Sequence, residues 1–216
     1  MPNEQDILNS INANIDQGYQ SGNNKEDVEE KYSKTREVLA FIWETAKIII
    51  ISLAIIIPIR YYLVQPFFVK GASMEPNFED GDYLLIDEIS YRFNEPRRGD
   101  IVVFRYPENP SQFYIKRIIG LPGETVEIKN NKVIVYNSAA KTGFTLKEDY
   151  LSVSQQTFGD TTVRLNDNEY YVMGDNRLQS SDSRRWGPVP QNLITGRAFV
   201  RLWPVKKIAK VEAVSY

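Results

Sequence analysis

The 216-residue sequence contains neither cysteine nor histidine. Without cysteine there are no disulfides, thiol nucleophiles or thiolate metal sites. Without histidine the commonest general base is gone, and with it the Ser-His-Asp triad and imidazole-held zinc. Hydrolytic chemistry in this chain must move protons with Lys, Asp, Glu or Tyr, and no metal or cofactor is expected. A strong charge of either sign is also missing. The net charge is −2, no DNA-binding motif is recognisable, and no nucleic-acid partner is expected. Internal repeats are absent. The lack of cysteine suits an oxidising or a reducing compartment equally, so it does not place the protein. What remains, 42% hydrophobic and 25% charged, is ordinary for one modest folded domain with appendages.

The first part of the chain, residues 1–40, is mostly polar, and it reads as a largely disordered tail. Ile7, Leu8 and Ile11 are sufficient for one short amphipathic turn. An apolar segment follows, assigned to 41–64 as a transmembrane helix. Its charge-free centre, Ile48–Ile59, is only about 12 residues, short of the roughly 20 that cross a bilayer. Lys47 and Arg60 bracket it and can carry their charges to the interfaces. Phe41, Trp43, Tyr61 and Tyr62 sit where interfacial aromatics belong. The isoleucine run has no polar face, which favours membrane over a buried core helix. Lys25, Lys31, Lys34, Arg36 and Lys47 precede the span, whereas only Arg60 and Lys70 follow closely. The positive-inside rule then places the N-terminus in the cytoplasm and residues 65–216 outside.

Residues 65–216 read as an antiparallel, all-β domain. Short β-branched or aromatic runs at Phe67–Lys70, Tyr83–Asp87, Asp100–Arg105, Phe113–Ile119, Thr125–Lys129, Lys132–Tyr136, Glu169–Met173 and Ala198–Leu202 are separated by turn signals. Asn130-Asn131 between two alternating runs predicts a hairpin. Residues 137–168 are polar and irregular, and are expected to form an insertion on the sheet.

Three stretches carry candidate chemistry. Phe67–Pro76 delivers Ser73 at the tip of a turn opened by Gly71, where it is either a nucleophile or a serine bonded to its own turn. Phe113–Ile119 places Lys116 and Arg117 on opposite faces of a strand otherwise apolar, so one cation faces a sheet surface unless the strand is an edge. A lysine base must be desolvated to be neutral, and Lys116 has apolar neighbours where most other lysines do not. After Met173 comes a polar loop, 174–187, in which Asp182 and Arg184 are spaced to pair.

In chain order, Ser73-Met74-x-Pro76, Gly81-Asp82, Arg98-Gly99-Asp100-Ile101-Val102-Val103-Phe104, Tyr114-Ile115-Lys116-Arg117-Ile118-Ile119-Gly120-Leu121-Pro122-Gly123-Glu124, and Gly174-Asp175-Asn176-Arg177 with Ser180-x-Asp182-Ser183-Arg184 resemble bacterial type I signal peptidase. The resemblance covers about residues 44–205 and leaves out the tail and most of 137–168. It implies a catalytic domain with Ser73 as nucleophile and Lys116 as general base. It also implies that Ser180 hydrogen-bonds and orients the lysine, that Asp182 and Arg184 brace the site, and that the Ser73 N–H donates to the oxyanion. Some members carry a hydroxyl residue two before the nucleophile. Here that position is Gly71, which leaves the second oxyanion donor open. Phe67, Phe68 and Val69 resemble the strand that pairs with substrate, implying secretory preproteins as partners beside membrane lipid. The oligomeric state is unknown. The competing reading is a noncatalytic, membrane-anchored β-domain that binds peptides or scaffolds partners. A self-cleaving repressor would need a DNA-binding N-terminus in place of the span.

Overall fold

The structure is a computed structural model and describes residues 3–58, 64–214 and 216. The N-terminal unit is one helix, α1, Glu4–Pro58. Asn3 caps it, its side-chain oxygen accepting the Gln5 N–H at 3.0 Å, and Glu4 and Asp6 lie in the first turn, where a helix favours negative charge. The reading of residues 1–40 as mostly disordered therefore differs from the structure. No proline interrupts residues 4–57, and Glu, Gln, Lys and Ala supply good local helix propensity. A polar stretch without a periodic apolar face carries little helical signal in its sequence, whatever its backbone adopts.

Within α1, Arg36–Ile57 is long and apolar enough to cross a membrane: 22 residues of mean hydropathy 2.1, none buried. At 1.5 Å per residue this is about 33 Å, enough for a hydrocarbon core of about 30 Å. The Thr45 hydroxyl donates to the Phe41 carbonyl at 2.9 Å, which hides its polarity within the helix. The apolar helix thus begins earlier than the assigned 41–64, and Val64 already belongs to a strand. Arg60, Tyr61 and Tyr62 lie outside the described residues.

The C-terminal unit is antiparallel β-structure, as the strand pattern predicts. Its larger sheet contains β1 (Val64–Phe68), β2 (Tyr83–Asp87), β3 (Ile101–Tyr106), β4 (Asn109–Gly120), β9 (Glu169–Met173), β10 (Val189–Pro190), β11 (Ile194–Trp203) and β12 (Ala209–Lys210). The order is β1-β2-β11-β3-β4-β9-β10, with β12 on β11. A second sheet runs β7-β6-β5-β8, from β5 (Thr125–Lys129), β6 (Lys132–Tyr136), β7 (Phe144–Thr145) and β8 (Thr161–Arg164). β5 and β6 form the expected hairpin. Asn130 and Asn131 both take positive φ, 51° and 61°, the conformation a two-residue hairpin turn requires.

β3 is buried on both faces because it separates two cores. Ile101 and Val103 join Val69, Met74, Phe78, Leu84 and Ile86, whereas Val102 and Phe104 pack with Ile118, Tyr170, Val172 and Val189. A third core, including Ile119, Val126, Val133, Tyr171 and Met173, lies under the second sheet. Segment 137–168 is not an irregular insertion on the main sheet. It contributes β7 and β8, which flank the β5–β6 hairpin. Strands of two and four residues with a polar face left no periodic signal to read.

Candidate active site

Ser73 owes its position to the end of β1. That strand begins at Val64, ahead of the expected Phe67, because an edge strand tolerates Pro66. Beyond Phe68 the chain stays tied to its neighbour: the Val69 N–H donates to the Asp82 carbonyl at 2.9 Å and Gly81 N–H to the Val69 carbonyl at 3.0 Å. The chain then reverses at Gly71, whose φ of +82° disfavours a side chain. The Gly71 N–H donates to Asp80 Oδ1 at 2.6 Å, so Gly71 shapes the turn and is not a free oxyanion donor. Met74, fully buried, anchors the next step. From the other side, Asn176 N–H donates to the Ser73 carbonyl at 3.0 Å.

Lys116 lies on β4, paired with Val102 of β3, and only 4% of it is exposed. Its Nζ is 2.8 Å from Ser73 Oγ and 2.8 Å from the Ile115 carbonyl. Burial pushes the Lys116 amine down to about 8, against a weaker upward pull from Asp182 and Asp175. Both carboxylates are committed elsewhere. Asp182 accepts from Arg184 Nε and Nη2 at 2.8 Å each and from the Gly174 N–H at 3.0 Å. Burial raises the Asp182 carboxyl, but Arg184 together with the other donors around it, the Gly174 N–H among them, turns the net direction down. Asp175 is gripped by Arg117, from Nε at 2.8 Å and Nη2 at 2.7 Å.

Ser180 is buried, but its Oγ has no hydrogen-bond partner among the described residues, so the implied bond to Lys116 is not formed. It packs instead on Gly174, where a Cβ would come within 2.2 Å of Ser180 Oγ and 2.4 Å of the Ser73 carbonyl oxygen. A side chain at 174 would therefore separate the two loops.

A groove of about 620 Å³ opens over the pair, lined by Phe67, Leu84, Val103, Ile115, Ser73 and Lys116 among others. Phe68 and Val69 line it too, and Gln179 and Ser181 stand at its wall. The Phe67 and Phe113 rings meet edge-on at 5.3 Å, so the large sheet curls until β1 approaches β4. Both strands present unpaired edges to the groove among the described residues: β1 bonds only to β2, and β4 meets β9 only from Arg117 onward.

Two features escaped the sequence reading. Alternation marked Arg117 as facing away from Lys116, but not its bidentate partner Asp175. Arg177 reads as part of a polar loop, whereas its partners, Glu148, Tyr150 and Thr157, lie between β7 and β8, where no sequence pattern points to them.

A serine hydroxyl in contact with a buried amine, in a protein without histidine, is the equipment of a Ser-Lys hydrolase. Residues 42–203 match a family model described as signal peptidase, peptidase S26. The chain belongs to the S26 signal peptidase family. It is 39% identical to signal peptidase I of Leptolyngbya laminosa, over 79% of this chain and 84% of that protein. It is 36% identical to the "Probable signal peptidase I-1" of Synechocystis sp., over 82% and 90%. A signal peptidase I crystal structure from Enterococcus faecalis V583 is 34% identical, covering 48% of this chain and 97% of that one, with a TM-score of 0.41. The stretch matched by the signal peptidase family takes in Ser73, Lys116 and the 174–184 loop, and leaves out most of α1.

Proposed function

We propose that this signal peptidase cuts secretory preproteins with a dyad of Ser73 and Lys116. The observation that carries the proposal is the 2.8 Å contact between Nζ and Oγ, made where both nearby carboxylates already hold arginines. A neutral Lys116 takes the hydroxyl proton as Ser73 Oγ attacks the scissile carbonyl. The Ser73 N–H, which has no acceptor among the described residues, donates to the developing oxyanion. Lys116 then returns the proton to the departing amine, leaving an acyl-enzyme. Water, deprotonated by the same amine, attacks the ester and frees Ser73. Asp182 and Arg184 hold the 174–184 loop against the serine turn. A noncatalytic peptide-binding domain gives no reason to bury an amine against a serine.

The groove suits an extended segment with small residues at −1 and −3. Phe67–Val69 supply a strand edge, and peptide backbone added there gains ladder hydrogen bonds. Cations concentrated ahead of the span support a cytoplasmic N-terminus and a catalytic domain on the far side, where a signal peptide emerges. Membrane lipid is a partner of the domain as well as of the span. Phe68, Trp203 and Val205 are 66%, 57% and 62% exposed. Phe68 stacks edge-on with Tyr83 at 4.6 Å, and Tyr83 pairs with Trp203, so this apolar surface borders the groove.

The test is cleavage of a secretory preprotein by the purified full chain in detergent, with the cut mapped by mass spectrometry. Ser73→Ala and Lys116→Met are expected to fold and to leave the preprotein intact. A folded Ser73→Ala enzyme with near-normal turnover refutes the dyad.

A further inference from the structure

Arg177 is a buried cation to which the dyad mechanism gives no task. Its side chain has no solvent exposure. All five of its guanidinium donors are nevertheless used. Nη1 and Nη2 grip the two carboxylate oxygens of Glu148. Nη1 also donates to Thr157 Oγ1 at 2.6 Å and Nη2 to the Tyr150 hydroxyl at 3.1 Å. Nε turns back onto the Gly174 carbonyl at 3.0 Å. A planar fork with every donor engaged has one orientation, so Arg177 is a rigid strut between segment 137–168 and the backbone of Gly174.

Gly174 lies close enough to the serine turn that a Cβ there would come within 2.4 Å of the Ser73 carbonyl oxygen. The same outer segment reaches that turn by two other routes. Asn77, further along the serine turn, donates to the Tyr150 carbonyl at 3.0 Å and to Asp175 Oδ2 at 2.8 Å. Gln155 donates to Asn176 Oδ1 at 3.3 Å, and Asn176 holds the Ser73 carbonyl.

We infer that Glu148 is a positioning residue for the dyad: by neutralising and orienting the buried Arg177 guanidinium, it sets the distance between the Gly174–Asn176 backbone and Ser73. The inference rests on the reading of Ser73 as nucleophile. Burial opposes the Arg177 charge, but Glu148 more than offsets this and holds the guanidinium above its ordinary range, so the strut stays charged. Without Glu148, a buried cation loses its counter-charge and two of its five bonds. Neither Glu148 nor Arg177 lines the groove, so the effect falls on the chemical step rather than on substrate binding. A displacement of about 1 Å is enough to cost up to about a hundredfold there, because attack geometry sets the rate.

The experiment is steady-state cleavage by the full chain in detergent, with kcat and KM resolved and a Ser73→Ala control alongside. Glu148→Gln keeps shape and removes charge. It is expected to lower kcat by about ten- to hundredfold with KM within about twofold, and Glu148→Asp should recover an intermediate kcat. A folded Glu148→Gln enzyme with unchanged kcat, or with its whole loss in KM, overturns the inference. If Glu148 variants do not fold, Tyr150→Phe and Thr157→Val each withdraw one acceptor at nearly constant volume. A severalfold fall in kcat in either supports the strut, and unchanged kcat in both overturns it. Activity in the Ser73→Ala control points instead to failure of the dyad, which separates the two outcomes.

Discussion

Arg117 and Asp175 face each other through two parallel hydrogen bonds of 2.8 and 2.7 Å, with side chains 3% and 0% exposed. Arg117 is the immediate neighbour of Lys116, and strand alternation sends the two cations to opposite faces of β4. Asp175→Asn leaves a guanidinium buried without its counter-charge, which typically costs about 3–5 kcal/mol. The variant is expected to unfold at markedly lower denaturant, as followed by tryptophan fluorescence. A midpoint equal to the wild type would show that the pair contributes nothing net.

Lys116 is expected to set the acidic limb of the rate profile. With its amine near 8, kcat should rise with pH through that region and level off above it, and no histidine is present to produce such a limb. Lys116→Arg should be inactive at every pH, since guanidinium stays protonated. The check is a pH–rate profile beside NMR titration of the amine. An active arginine variant would move the base elsewhere.

The same shift makes a stability prediction. The folded amine titrates below its ordinary value, so between about 8 and 10.5 the unfolded chain binds more protons, and stability rises with pH. Below that window the buried amine must be charged and costs the fold on the order of a few kcal/mol. Lys116→Met should therefore be more stable than wild type at neutral pH. Its advantage should shrink as pH rises through the window, measured by denaturation at a series of pH values.

Gly174→Ala places a methyl group 2.4 Å from the Ser73 carbonyl oxygen and 2.2 Å from Ser180 Oγ. Removing the Ser180 hydroxyl relieves only the second contact and leaves Ser180 Cβ at 2.5 Å. The prediction is a kcat at least about tenfold lower that Ser180→Ala does not restore. Recovery in the double variant would mean that the backbone of Ser73 yields easily.

Trp203→Glu combined with Val205→Glu tests the proposal that this exposed apolar surface meets lipid. Cleavage of a preprotein inserted in vesicles should slow by about tenfold or more, since carboxylates do not enter the apolar boundary. Cleavage of a soluble peptide should change little. Equal rates on both substrates would detach this surface from the membrane.

Much of this architecture is legible in the chain because local signals agree. β2, β5, β6 and β9 carry alternating or fully apolar runs closed by Gly, Asn or Asp, and the structure keeps their expected limits. Ser73 and Lys116 were marked by turn chemistry and by a charge on an apolar strand, and both signals are local. The Asp182–Arg184 pair spans two residues and was read in the same way. The Glu148–Arg177 strut joins residues 29 apart through a segment with no periodicity, so no local rule reaches it. The vacant hydrogen bonding of Ser180 depends on a side-chain rotation that no spacing encodes. The first part of α1 is not legible because its polar sequence carries no hydrophobic stripe.

Pro66 bears on what the exposed side of β1 can accept. Val69 turns both its N–H and its carbonyl inward, and alternation along an antiparallel strand then turns those of Phe68 outward. The next outward position is Pro66, which has a carbonyl but no N–H to give. The margin of the sheet thus offers one full pair of bonding groups shortly before Ser73 and is broken immediately behind it. A guest strand crossing the groove finds what it needs at Phe68. A second copy of the sheet finds too few bonding groups along this border for edge-to-edge pairing, so the device that shapes the groove also blunts an exposed edge.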